Sequence, residues 1–253
     1  RTQHIIPNHV VHFAGNYLIG KKCRLIPLEI IVRSYMTGST STSLWTHYKQ
    51  GTRNYCGIDF PDDLEKNRPL PNLVITPTTK GEHDYPITPR EIVEQGYLTQ
   101  DEYNFIEEKA LKLFEFGQTE ASKKGLILVD TKYEFGRLDN GKIILIDELH
   151  TCDSSRYWLQ EDNPAYNLYN PNPKKLDKDI IRDHIKKTDS YNVPDELITK
   201  VSGVYLDYLM KLDLNETRDN IISTYQDRDM LVDNYFKNHH HELVVILAGS
   251  VTD

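Results

Sequence analysis

The sequence L-V-D-T-K-Y-E-F-G occupies residues 128–136, and I-D-E-L follows at residues 146–149. In a half-buried strand alternate side chains share a face. Asp130, Lys132 and Glu134 therefore point one way, and Val129, Thr131, Tyr133 and Phe135 the other. Asn140-Gly141 is a strong signal for a two-residue hairpin loop. With only those two residues in the loop, Asp139 pairs with Lys142 and Glu134 falls directly opposite Asp147. Like charges facing each other across a ladder destabilise it, unless a cation lies between them. All-oxygen ligands on a strand pair suit Mg2+ held together with nucleotide phosphates. The hairpin thus offers Glu134 and Asp147 to a metal and Lys132 to a phosphate. Asp130 lies beside them, to hold Lys132 or to bind metal through water. The bland alternative is a solvated strand face crossed by weak salt bridges. The confinement of the charges to one face argues against it, and so does C-D-S-S-R-Y-W at residues 152–158, where hydroxyls and a guanidinium follow a carboxylate. The register carries the metal assignment: a three-residue loop or a bulge moves Asp147 off Glu134.

A second stretch, P-L-E-I-I-V-R-S-Y-M-T-G-S-T, spans residues 27–40. Read as a strand, it places Glu29, Ile31 and Arg33 on one face and Leu28, Ile30 and Val32 on the other. The strand runs into Thr37-Gly38-Ser39-Thr40-Ser41, where glycine permits a tight turn and hydroxyls and N–H groups can cradle an oxyanion. Arg33 suits bidentate recognition of a phosphate or carboxylate.

Composition excludes several classes. The formal net charge of -8 argues against general nucleic-acid binding. No apolar stretch approaches the roughly 18 residues of a membrane span, and no signal peptide is visible. Cys23, Cys56 and Cys152 lack metal-ligand spacing, and three sparse cysteines suit reduced thiols in the cytoplasm. The adjacent His239, His240 and His241 cannot all converge on one ion and read as the end of a solvated linker.

The motifs resemble those of the SAICAR synthetase family. P-L-E-I-I-V-R-S-Y-M-T-G-S and L-V-D-T-K-Y-E-F-G are similar to its two signatures; T-P-T-T-K-G-E-H-D at residues 76–84 and I-D-E-L-H-T-C-D-S-S-R-Y-W at residues 146–158 are similar to two further blocks, in the family's order and spacing. Ser34, His150 and Cys152 depart from the usual pattern. The resemblance covers residues 1–212. It implies an α+β, two-lobe fold related to ATP-grasp and kinase-like folds, with the N-terminal lobe and its glycine- and lysine-containing phosphate loop largely missing from this chain, and therefore no activity in the fragment alone. It implies ATP and Mg2+ as cofactors and ligation of L-aspartate to CAIR, giving SAICAR, ADP and phosphate. On it, Lys132 and Asp130 are the catalytic candidates. Glu29, Lys132, Glu134 and Asp147 serve the nucleotide, with Glu134 and Asp147 on the metal. Arg33, Ser39, Ser155 and Arg156 take the substrate's phosphate end, and Lys80, His83 and Asp84 reach substrate or aspartate from a loop. Two readings compete: another ATP-grasp-like or kinase-like ligase, and a non-catalytic nucleotide-binding or assembly remnant.

The rest of the chain is read by local signals. A helix is expected over residues 43–50, and a long ordered loop rich in Pro, Gly and Asn over residues 51–80. Capping-box patterns at Thr88 and Thr99 start two helices, the second with Ile106, Ala110, Leu113, Gly117 and Ala121 as its buried stripe and Gly125 beyond its end. Residues 162–173 read as a lid, and residues 177–187 and 194–211 as helices. Residues 213–241 read as a linker. The apolar run at residues 243–247 has the look of a buried parallel strand. With the Gly-Ser that follows, residues 242–253 resemble the opening of an AIR carboxylase domain, whose presence would bring a homo-oligomer with it.

Overall fold

Residues 24–35 form one long strand, and the sheet is built on it. In the computed structural model, residues 1–14, 17–160, 173–176, 178–212 and 243–247 are described. They fall into two compact units, the described residues within 27–134 and 147–212, and those within 1–26, 135–146 and 243–247.

In the larger unit, β3 (Arg24–Tyr35) and β8 (Leu126–Arg137) are the central strands, with β10 (Ser155–Leu159) outside β8 and β6 (Pro69–Ile75) outside β3. The short β7 (Thr78–Thr79) also pairs with β3, setting Glu29 against Thr78. The expected alternation holds in β3: Leu28, Ile30 and Val32 are buried, and Glu29 and Ile31 are only partly so. Residues 51–80 are not a plain loop. They carry β4 (Asn54–Tyr55), β5 (Ile58–Asp59), β6 and β7. Pro69 and Pro71 made β6 read as loop, yet β6 lies at the edge of the sheet, where a missing N–H breaks no ladder. Beneath this segment, Met36, Leu44, Tyr48, Tyr55, Cys56, Phe60 and Leu70 form a core cluster.

The helix signals hold. α1 (Leu44–Lys49) follows Ser43. α2 (Pro89–Glu94) and α3 (Gln100–Ser122) each start with a complete capping box, at Thr88 and Thr99. All five positions of the expected α3 stripe are buried, and Gly125 takes the left-handed conformation just past the helix (φ +68°). Gly117 lets α3 approach closely: a Cβ there would lie 2.7 Å from Leu128 Cδ2 and 2.4 Å from His150 Cε1. α4 (Asp179–Thr188) and α5 (Asp195–Leu212) occupy the two later helical segments.

In the smaller unit, β1 (Val10–Ala14) and β2 (Tyr17–Lys21) form a hairpin, and β11 (Leu243–Leu247) lies on the other side of β2. β11 runs antiparallel to β2, from Leu243 opposite Lys21 to Leu247 opposite Tyr17. The expected parallel strand is corrected here: a continuous apolar run reports burial and carries no information on direction. β9 (Ile143–Ile146) pairs with β8, and Leu145 bonds back to Pro7 (2.9 Å) and His9 (3.0 Å).

The β8–β9 loop differs from expectation. Gly141 N–H donates to the Leu138 carbonyl (2.8 Å), and Leu138 N–H donates to the Lys142 carbonyl (3.0 Å). Gly141 is left-handed (φ +82°). This is a three-residue loop, Asp139 to Gly141, built on a tight turn and a glycine bulge. It shifts the register by one, and β9 ends at Ile146, so Glu134 and Asp147 are not cross-strand partners. The segment expected as a lid, the linker and the tail after Leu247 lie largely or wholly outside the described residues.

Candidate active site

Glu29, Ile31 and Arg33 of β3 and Asp130, Thr131 and Lys132 of β8 line a cavity of about 790 Å3. Its other walls come from residues 40–43, His47, residues 82–86, residues 153–156 and the start of α4. The outward face of β3 predicted from alternation is therefore the cavity face.

Lys132 is the hub of one end. Its ammonium lies 3.1 Å from Glu29 Oε1 and 3.2 Å from Asp147 Oδ2, and it also pairs with Glu134 Oε1. Lys80 pairs with the other Glu134 oxygen, and Glu29 accepts a hydrogen bond from Thr78 Oγ1 at 3.2 Å. Asp147 reaches this cluster from a left-handed backbone (φ +61°) in the turn after β9, not from a ladder position. The lost register is thus recovered by the turn, and Glu134 and Asp147 do meet. Burial alone would lower the Lys132 pKa; hydrogen bonding to Glu134 and the charges of Glu29, Glu134 and Asp147 outweigh it and hold the pKa raised. Burial alone would raise the Asp147 pKa; Lys132, Glu134 and Lys80 hold it low.

These residues suit a hard cation. Three carboxylates, Glu29, Glu134 and Asp147, face two ammoniums, Lys80 and Lys132, so negative charge is in excess and every ligand atom is oxygen. Among the described residues no group of three or more Asp, Glu, His or Cys side chains is arranged to hold a metal ion by itself, so any ion here would rest on fewer protein ligands. Mg2+ is a cation that can be held by one or two protein carboxylates, its shell completed by water and phosphate oxygens.

The middle of the cavity is basic. Arg33 is buried, donates from Nε to Thr76 Oγ1 (2.8 Å), and lies 3.6 Å from Asp130 Oδ2. Asp130 also takes Arg156 Nη1. The expectation that Asp130 holds Lys132 is corrected: its carboxylate is committed to two arginines. The reason is β10, whose ladder sets Arg156 opposite Asp130 before slipping by one between Arg156 and Tyr157. Burial lowers the Arg33 pKa, with Asp130 opposing. Arg156 also binds Asp179 on α4, which in turn takes Arg182. Ser155 Oγ and Thr131 Oγ1 are 2.7 Å apart.

The remaining candidates are distributed. His83 and Asp84 line the cavity from the loop after β7. Ser39 lines a separate space of about 190 Å3 together with Gly38 and Arg156; its hydroxyl is buried without a protein partner. Gly38 is left-handed (φ +116°), and a Cβ there would meet Ser43 Cβ at 2.3 Å, so only glycine fits. Sequence reasoning missed Lys178, Asp179 and Arg182. Their signal was the spacing of Asp179 and Arg182, three apart at a helix start and therefore on one face.

Known proteins resemble most of this chain. A phosphoribosylaminoimidazole-succinocarboxamide synthase of Arabidopsis thaliana, named as chloroplastic, is 50% identical over 214 residues, which are 81% of this chain and 52% of that protein. The protein of the same name from Legionella pneumophila (strain Paris) is 48% identical over 214 residues, 81% of this chain and 69% of that one. The chain thus spans about half the length of the plant relative. Among solved structures, the SAICAR synthase of Saccharomyces cerevisiae complexed with SAICAR matches with a TM-score of 0.69 at 27% identity, covering 86% of this chain and 78% of that one. A type-2 SAICAR synthetase in complex with ADP matches with a TM-score of 0.61 at 28% identity, covering 85% and 76%. The family model for SAICAR synthetase matches residues 1–198, more than half of the sequence, and the chain belongs to that family.

Proposed function

We propose that the complete polypeptide ligates L-aspartate to the carboxylate of CAIR with ATP, giving SAICAR, ADP and phosphate. The observation that carries this reading is one cavity lined by Glu29 and Lys132 together with Arg33 and Arg156, with Glu134 and Asp147 paired to Lys132. The names of the relatives and the ADP and SAICAR complexes of the two related structures supply the reaction.

A carboxylate is a poor electrophile because its leaving group would be oxide. In the proposed sequence a CAIR carboxylate oxygen attacks the γ-phosphorus of ATP, the bond to ADP breaks, and an acyl phosphate forms. The aspartate amine then attacks the carbonyl carbon, the C–O bond to phosphate breaks, and the amine gives up a proton. Catalysis of phosphoryl transfer is largely positioning and charge stabilisation. Lys132 is suited to an oxygen of the transferring group, and Glu29 and Glu134 aim its ammonium. Mg2+ bound by Glu134 and Asp147 would offset phosphate charge at this end. Arg33 and Arg156, with Ser155 in the same cavity and Ser39 beside Arg156 in the lining of the smaller space, would hold the phosphate ester of CAIR. His83 and Asp84 sit on the wall where an amino-acid ammonium would find a carboxylate. Cys23, Cys56 and Cys152 form no disulfide among the described residues, which would suit a reducing compartment such as the cytoplasm.

The test is ADP release by the complete polypeptide. The proposal expects release that requires CAIR and aspartate together. Release that ignores either substrate would favour another ligase or an ATPase.

A further inference from the structure

One buried carboxylate in the cavity wall has no part in the reaction just proposed. Asp179 begins α4 and is 3% exposed. Its Oδ2 takes both Nε and Nη2 of Arg156 at 3.1 Å, and its Oδ1 takes Arg182 Nη1 at 3.1 Å. Burial alone would raise its pKa, but Arg156 and then Arg182 hold it at about 2. Next to it, Lys178 reaches Asp153 Oδ1 at 3.1 Å, tying the start of the helix to the turn before β10. A chain of charge results: Arg33, Asp130, Arg156, Asp179 and Arg182, all lining the same cavity. The two carboxylates alternate with the three guanidiniums, so each keeps its neighbours apart and oriented.

We propose that Asp179 is a positioning residue: it sets the Arg156 and Arg182 guanidiniums to receive a dianionic phosphate ester, the class to which the proposed ribonucleotide substrate belongs. The inference rests on the proposed function. Long arginine side chains lose rotamer freedom when a ligand fixes them, and fixing them beforehand removes that loss from binding. Asp179 does so for two arginines at once. It spans Arg156 with two bonds to one oxygen and engages only one nitrogen, Nη1, of Arg182.

The sign of the effect separates positioning from bulk charge. Asp179→Asn keeps the shape and removes one negative charge beside the arginines. If only net charge mattered, a phosphate ester would bind more tightly. Positioning predicts the opposite. The experiment is calorimetric titration of the complete polypeptide with CAIR, and separately with a non-hydrolysable ATP analogue. The expected result for Asp179→Asn is roughly tenfold to hundredfold weaker CAIR binding, with binding of the analogue unchanged. Adding Arg182→Ala should weaken CAIR binding by less than Arg182→Ala does alone in the wild-type background. Unchanged or tighter CAIR binding in Asp179→Asn overturns the inference. If Asp179→Asn loses the analogue as well, Asp179→Glu carries the test. It keeps the charge but displaces it by one methylene, and it should bind CAIR roughly tenfold more weakly; unchanged CAIR binding there overturns the inference. A wild-type protein that does not bind CAIR overturns the functional reading and this inference with it.

Discussion

Lys132 holds three carboxylates together, and most of the chemistry proposed for this chain depends on that ammonium. Lys132→Ala leaves Glu29, Glu134 and Asp147 facing one another. Removing a preorganised charge from a phosphoryl-transfer site is expected to lower turnover by roughly a hundredfold or more, measured as ADP release from the complete polypeptide at saturating substrates. Wild-type turnover in this variant would remove Lys132 from the mechanism. Arg33→Lys is also not conservative. Lysine cannot donate to Thr76 and face Asp130 as the Arg33 fork does. Loss of a charge-assisted bond is worth about 1.5–3 kcal/mol, and the loss should appear in CAIR affinity and not in ATP affinity. His150 makes a pH prediction. It is half-buried beside Gly117, bonded to Tyr133 Oη at 2.7 Å, and held neutral by desolvation of the ring with a pKa of about 4. The unfolded chain binds the proton more readily, near its ordinary value of about 6.5. Stability is therefore full above pH 6.5 and is lost as pH falls from there toward 4, by about 3 kcal/mol. Urea unfolding between pH 7 and pH 4 should show this loss in the wild type and not in His150→Gln. An identical slope in both would show that other groups govern acid unfolding.

At the scale of elements, what was legible depended on how local the signal was. The capping boxes at Thr88 and Thr99 need four consecutive residues each, and both formed. The stripe of α3 needs only helical spacing, and it is buried throughout. The alternation of β3 was legible for the same reason, and it placed Glu29, Ile31 and Arg33 on the cavity correctly. The β8–β9 register was not legible, because Asn-Gly serves both a two-residue loop and a three-residue loop with a glycine bulge. Local sequence does not decide between them. β6 was missed because proline forbids a central strand but not an edge strand, and edge position is a property of the whole sheet. Gly117 tests the close approach of α3 directly. Alanine would favour the helix by up to about 1 kcal/mol. Its Cβ would meet His150 and Leu128 at 2.4 and 2.7 Å, and overpacking of that kind costs about 1–3 kcal/mol. The clash should win, and Gly117→Ala should lower the thermal midpoint. A rise would mean that the neighbours give way freely.

At the scale of the whole molecule, the candidate site was only half legible. The residues of β3 could be assigned to a face from their spacing alone, whereas on β8 Thr131, expected on the opposite face, lines the cavity with Asp130 and Lys132. The arginine wall could not be read from spacing. Asp130 was expected beside Lys132, but β10 brings Arg156 opposite it, and α4 adds Asp179 and Arg182 from a distant segment. Which charges pair is decided by how strands and helices are assembled, and a single sequence does not contain that information locally. On the proposed function, the cavity lining would serve two tasks, phosphate transfer near Lys132 and substrate capture by the arginines. The acyl phosphate in that proposal follows from the chemistry of a carboxylate, which must be activated before an amine can displace its oxygen. The measurement that tests this most directly is oxygen transfer. CAIR labelled with oxygen-18 in its carboxylate is converted by the complete polypeptide with ATP and aspartate, and the released phosphate is analysed by mass spectrometry. The account predicts one labelled oxygen in each phosphate released. Phosphate without label, formed while SAICAR accumulates, would contradict it.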